Sequence, residues 1–341
     1  MSKTEQGQVI LLGHGSGGTL TNQLIRTVFQ DALHNPILDE MLDAAILDLG
    51  PGRVAFTTDS FVVDPIFFPG GDIGKLAVCG TVNDLAVSGA VPLYLSSAFI
   101  IEEGFPLADL QRIVNSMQAA ASTAGVRVVT GDTKVVGRGG ADKIFINTAG
   151  IGVVPPGRDL SPRRIQPGDL VLVSGTLGDH GLTILAQREG LAFTTPVVSD
   201  CTPLNRIASA VMEAGGEAVR CMRDPTRGGL ATTLNELATQ GGQGILVQET
   251  LIPLRREVVG ACEMLGLDPL YLANEGKVIV IVAPEAADKV LDAMCSLPEG
   301  QGAVAVGRVT GSDRGLVLLE TELGATRIMT MLEGEPLPRI C

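Results

Sequence analysis

The chain has 341 residues, long enough for about two cores of ordinary size. Hydrophobic residues make up 45% and charged residues 18%, a globular composition that excludes an extended disordered protein. Its 38 acids exceed its 25 lysines and arginines, and the net charge of −13 disfavours non-specific binding to nucleic acid or an anionic membrane. A phosphate-bearing substrate would need positive charge supplied locally, by a few side chains or a divalent metal.

The N-terminal "MSKTEQGQ" is polar and lacks the apolar centre of a signal peptide. No apolar run in the chain approaches the length of a membrane span. "HGSGG", residues 14–18, is a glycine-rich loop whose backbone N–H groups could close on phosphate, although it does not match the Walker pattern. His14 within it is a surface imidazole or a catalytic one. Next come "AILDL", with Asp43 just before it, and "RVAFTTDSFVV", which carries Asp59; both read as strands. "DIGKLAVCGTVNDLAVSGA" reads as a helix holding Asn83 and Asp84. "PLADLQRIVNSMQAAASTAG" is a second helix, with Leu107, Leu110, Ile113, Val114 and Met117 at three- and four-residue steps and Gly125 as its stop.

"RVVTGDTKVV" and "KIFINTAGIGVV" are further strands, and the first holds Asp132 and Lys134. Residues two apart on a strand share a face, so this carboxylate and ammonium could meet one phosphate-bound metal, or Lys134 could simply be solvated. Each of Asp43, Asp59, Asp84 and Asp132 taken singly is readily a turn or helix cap. Together they favour a metal–nucleotide site, because magnesium binds through a few carboxylates plus substrate phosphates.

The Pro-, Gly- and charge-rich segment 155–169 reads as a linker, and "DLVLVSG" then restarts with a strand. Strands mixed with helices predict an α/β or α+β chain of two domains, 1–157 and 158–332, with a tail from 333 to 341. In the second half, Thr226, Arg227, Gly228 and Gly229 open a helix whose start would suit an anion, although the glycines could equally serve close packing. "LANEGKVIV" puts Glu275 and Lys277 before a strand; they are a solvated edge, or Glu275 is a base in a cleft. "GAVAVGRV" follows as another strand. Cys79, Cys201, Cys221, Cys262, Cys295 and Cys341 show no CxxC pair, and there is no His cluster at zinc spacing, so a reducing cytoplasm is expected. Cys341 ends the chain after Pro336 and Pro338. A thiol there is not expected to pack as a small hydrophobe; it is either a frayed end or a reagent.

The set "LDAAIL", "TTDSF", "VNDLAVSGA", "TGDTK", "SGTLGDHG", "DPTRGGL", "NEGK" and terminal "PRIC" resembles the HypE family of hydrogenase maturation proteins, nearly end to end. The aspartate motifs alone mark only its superfamily, the aminoimidazole ribonucleotide synthetase-like (PurM-like) ATP-using enzymes. The resemblance implies two PurM-like α/β domains. The N-terminal one would bind ATP and pair its sheet across a homodimer, and the mobile tail would carry the acceptor cysteine. It implies that the carbamoyltransferase HypF loads Cys341, that ATP-driven dehydration turns the thiocarboxamide into a thiocyanate, and that cyanide passes to iron on a HypC–HypD complex.

The same resemblance assigns Asp43, Asp59, Asp84 and Asp132 to Mg2+ and the phosphates, and makes Asn83 a phosphate neighbour. Lys134 would neutralise the transferring phosphoryl group, Glu275 would be the general base, and His14 its reserve. Such chemistry needs a carried thiol of long reach, and nine residues from Glu333 span roughly 30 Å when extended. Two rivals stay open: a small-molecule kinase or synthetase using the same ATP site, for which Cys341 is irrelevant, and a non-enzymatic scaffold with a docking tail.

Overall fold

The computed structural model describes residues 18–24, 26, 38–48, 52–191, 197–334 and 337–341. After a short helix, α1 (Thr19–Leu24), the first half is built on five strands. Their spatial order is β1 (Ala45–Asp48), β2 (Arg53–Phe61), β7 (Ile144–Val154), β5 (Val91–Glu102) and β6 (Arg127–Val136). All neighbours run antiparallel except β5 and β6. Side chains alternate as the pleat demands, so β2 buries Ala55, Thr57 and Phe61 while Phe56 points outward.

A two-stranded ladder, β3 (Phe67–Phe68) and β4 (Gly71–Asp72), leads into α2 (Ile73–Val87), which is N-capped by Asp72 through the Gly74 and Lys75 amides. Of the 15 residues of α2, 13 are buried, so its outward side must also be covered. The helix α3 (Leu107–Ala124) packs beside it and ends on left-handed Gly125, as the sequence predicts. Gly74 permits that closeness, since a Cβ there would stand 2.4 Å from the Ile113 carbonyl oxygen.

The second half holds a seven-stranded sheet, in the order β14 (Thr326–Met329), β13 (Val317–Glu320), β10 (Gly244–Gln248), β12 (Val304–Thr310), β8 (Leu170–Val173), β11 (Ile279–Val282) and β9 (Val219–Arg223). Both faces are covered. Val171, Val173, Ile279 and Ile281 join a core with α6 (Gly229–Gly241), whereas Leu172, Val280 and Val282 join one with α5 (Asn205–Gly215) and α8 (Pro284–Cys295). That is why the central strands read as unbroken apolar runs.

The two halves are not joined by a linker alone. One core cluster runs from Phe61, Leu76 and Cys79 through α4 (Asp179–Glu189) and α7 (Arg256–Leu265) by way of Leu182, Val258 and Ala261. This interface explains why α2 is buried on nearly every side.

The chain end departs most from expectation. Leu337, Ile340 and Cys341 belong to this same core, and Cys341 is only 8% exposed. Here the thiol does pack as a small hydrophobe, which corrects the expectation of an exposed arm. The backbone explains it: the Val62 amide donates to a main-chain carboxylate oxygen of Cys341 at 3.0 Å and the Asp64 amide to the Arg339 carbonyl at 3.2 Å. Apolar Leu337 and Ile340 carry the segment inward.

Candidate active site

Three of the four predicted aspartates come together where β1, β2 and α2 meet. Asp43 precedes β1, Asp59 lies on β2, and Asp84 is on α2 one turn beyond Gly80. The Asp59 carboxylate comes so near that helix that a Cβ at Gly80 would be 3.3 Å from its Oδ2. The Thr57 hydroxyl donates to Asp84 at 2.9 Å and is placed 3.0 Å from the Asp43 carbonyl oxygen, tying the group together. Burial raises the pKa of all three, and in Asp84 the negative fields of Asp224, Asp59 and Asp43 raise it well further. Arg223 pairs with Asp43, and Arg227 partly offsets the rise at Asp59.

From the second half come Asp224 and Glu275. Asp224 follows β9 and is held at about 7, by burial first and then by Asp43. Glu275 is 3% exposed and its Oε1 has no hydrogen-bond partner. Burial first, then Asp200, Asp224 and Asp59, raise its pKa well above the ordinary glutamate value. A carboxyl so placed releases its proton less readily than an exposed glutamate, which suits general acid–base work.

The carboxylates form an oxygen-only, mutually repelling set, the donor chemistry a hard divalent cation relieves. Among the described residues no three His, Cys, Asp or Glu side chains converge closely enough to hold a metal by themselves. An ion there would need phosphate oxygens beside one or two carboxylates.

Other expected residues stand elsewhere. Asp132 and Lys134 pair with each other at 2.7 Å, exposed on edge strand β6. Asp132 is in register with Ala98, Asn147 and Ser60, and Gly131 with Ser97, Thr148 and Asp59. Asp132 therefore lies three strands from the Asp59 row, roughly 14 Å at normal strand spacing, and on the opposite face by alternation. Within one chain they cannot join the aspartate cluster, which corrects the four-aspartate ligand set. A groove of about 540 Å³ lies between β5, β6 and α3, lined in part by Ser97, Phe99, Met117, Gly131 and Asp132.

Asn83 is also corrected as a phosphate neighbour. It is 1% exposed, its amide donates to the carbonyls of Thr202 and Glu275, and its carbonyl accepts from the Leu204 amide. It bolts α2 to the second half. Gly229 serves close packing, since a Cβ there would meet the Leu270 carbonyl oxygen at 2.5 Å. His14 lies outside the described residues.

Sequence reasoning missed Arg223, Asp224 and Asp200. Asp224 stands at the end of β9, the same strand-end criterion that found the aspartates of the first half. Asp200 takes the Glu275 and Gly276 amides at 3.1 and 3.2 Å and ion-pairs with Lys277 at 3.5 Å. Its neighbour Ser199 accepts from the Cys201 amide and bonds His180 Nδ1 at 2.8 Å, while His180 Nε2 meets the Ile340 carbonyl at 2.7 Å. Segment 199–201 thus reaches the Glu275 backbone on one side and, through His180, the tail on the other.

The models for the AIR synthase related protein N-terminal and C-terminal domains match residues 41–154 and 166–319. Carbamoyl dehydratase HypE of Azotobacter vinelandii is 55% identical over 328 residues, covering 96% of each chain. The chain belongs to the HypE family. Among solved structures, HypE in a HypE–HypF complex is 50% identical at a TM-score of 0.86, covering 91% of this chain and 99% of that one. Hydrogenase maturation protein HypE in complex with ATP is 52% identical at a TM-score of 0.82, covering 98% of this chain and all of the other. The two PurM-like domains expected from the sequence are therefore those of this HypE-family enzyme. No helix among the described residues is long and apolar enough to cross a membrane.

Proposed function

We propose that this chain dehydrates a carbamoyl group carried on Cys341 to a thiocyanate, at the expense of ATP, for hydrogenase maturation. One observation supports the reading above others: segment 199–201 links the docked tail, through Ser199 and His180, to the backbone of Glu275, through Asp200.

The balance is S–C(=O)–NH2 plus ATP giving S–C≡N, ADP and phosphate. ATP with Mg2+ supplies the phosphoryl group that makes the amide oxygen a competent leaving group. One or two of Asp43, Asp59, Asp84 and Asp224 would hold the ion against the phosphates, and Arg227 would face the same charge. Glu275, as carboxylate, takes a proton from nitrogen as the oxygen leaves, and the low-dielectric pocket strengthens that transfer. ATP binding is supported by the relative solved with ATP, and HypF, with which another relative was solved in complex, is the proposed carbamoyl donor. A HypC–HypD complex is the proposed cyanide acceptor.

The outer face of the first sheet suits a second copy of the chain. Phe56, Tyr94, Ile100 and Val153 are each more than 40% exposed on it. A two-fold dimer through that face would cover them and carry Asp132 and Lys134 towards the other copy's aspartates. Intact mass tests the chemistry directly. Incubation with the donor should add the elements HNCO at Cys341, and ATP should then remove one water. Cys341→Ala should show neither shift; shifts that persist there, or map to another cysteine, would end the proposal.

A further inference from the structure

The docked tail is held by two side chains that the chemistry above leaves without a task. Arg188, in the last turn of α4, spreads its guanidinium over three carbonyls. Nε and Nη2 donate to Asp64 at 3.1 and 2.6 Å, Nη1 to Pro338 at 2.8 Å, and Nη2 also to Arg339 at 3.0 Å. His180, two turns earlier on the same helix, is fully buried. The Ser199 hydroxyl already accepts from the Cys201 amide, so its proton is available to His180 Nδ1. That leaves the hydrogen on Nε2, donating to the Ile340 carbonyl at 2.7 Å. Burial lowers the His180 pKa, in keeping with a neutral ring.

We infer that Arg188 and His180 are positioning residues that grip the main-chain carbonyls of Pro338, Arg339 and Ile340 and thereby set where the Cys341 sulfur stands. The grip touches no tail side chain, so it is indifferent to what the sulfur carries. Free thiol, carbamoyl ester and thiocyanate can be seated by the same bonds. A planar fork is required at Arg188, because a lysine ammonium cannot reach three carbonyls in one plane. At His180 the need is a single donor at the ε position.

The inference is tested on the full chain with N-ethylmaleimide, following each cysteine by peptide mass over time. Cys295 is exposed and serves as reference, while Cys79, Cys201, Cys221 and Cys262 are buried and report the fold. In the parent, Cys341 should react at least about 10-fold more slowly than Cys295. Arg188→Lys and His180→Asn should each accelerate Cys341 by about 10-fold, as losing one or two buried hydrogen bonds implies, with the four buried thiols still protected. His180→Gln, whose amide reaches the ε position, should restore protection. Equal rates for Cys341 and Cys295 in the parent, or an unchanged Cys341 rate in both variants, would overturn the inference. So would Cys341 reacting only together with the buried thiols, which would assign both side chains to general folding.

A second arm rests on the proposed function. Arg188→Lys should accept carbamoyl at least as fast as the parent, since the thiol is freer, yet lose water with ATP about 10-fold more slowly. Equal slowing of both steps would argue against positioning. If the parent loses no water at all, the proposed function fails, while the alkylation result still decides the grip.

Discussion

Glu275→Gln separates chemistry from architecture. Glu275 is 3% exposed with Oε1 unpartnered, so glutamine fits the same volume and brings no charge. If Glu275 is the base, dehydration should slow by about 10²-fold or more, or ~2.7 kcal/mol of barrier. Stability should move oppositely. The folded pKa of Glu275 is raised, so the parent binds more protons folded than unfolded between the ordinary glutamate pKa of 4.5 and that raised value. Its stability therefore falls as pH rises through this window, and the variant should not share the fall. At pH 4 the two proteins should differ by no more than ~1 kcal/mol, because both side chains are neutral and equally short of partners. At pH 8 the variant should be the more stable. The assay starts from carbamoylated protein, adds ATP and follows loss of one water by intact mass, with denaturant unfolding at both pH values. Thiocyanate formed at the parental rate would refute Glu275 as base. A variant less stable than the parent at pH 8 would refute the buried, charge-averse environment.

Asp224→Asn should flatten the pH dependence of unfolding between about 4 and 7, by ~4 kcal/mol at most, because Asp224 is held at about 7 against an ordinary 3.8. Denaturant midpoints across that range test it. Asp84→Asn should abolish most ATP turnover in a steady-state phosphate assay, and so should Asp132→Asn. A mixture of the two inactive proteins should recover activity if Asp132 acts across a dimer, and recovery would be absent if it acts within its own chain. Sedimentation at micromolar concentration should show a dimer, and Tyr94→Asp with Ile100→Asp should reduce it to monomer. Deletion of Pro338 to Cys341 should cost ~1–3 kcal/mol in denaturant unfolding, since the buried Ile340 and several main-chain bonds are lost while ordering entropy is regained. No measurable loss would mean that the end is undocked in solution.

Much of the architecture was legible because periodicity is local. The runs at β2, β6, β7, β8, β11 and β12 and the steps of α3 appear where the pattern puts them. The strand β5 is not legible in the sequence, though at 12 residues it is the longest among the described residues, because Pro92 and the Ser96–Ser97 pair interrupt its apolar run. Asp43, Asp59 and Asp84 were legible as strand-end or helix carboxylates. Asn83 and Asp132 were not, for a shared reason: proximity in sequence to a site residue does not say which way a side chain faces. One position along α2 turns Asn83 from the aspartates to the second half, and one strand row turns Asp132 to the outer face. The docked tail was hidden because Arg188, His180 and Val62 bind its carbonyls, which leave no mark on residue identity.

Asn83 has a mechanical consequence. Its amide ties α2, which carries Asp84, to the main chain of Thr202, Leu204 and Glu275. The acid cluster and the candidate base therefore cannot shift against each other without straining these bonds, two of them buried, and slow amide exchange at Leu204 should persist through turnover. Motion during catalysis then falls on the last five residues, whose bonds can be broken and remade without loosening the frame around them.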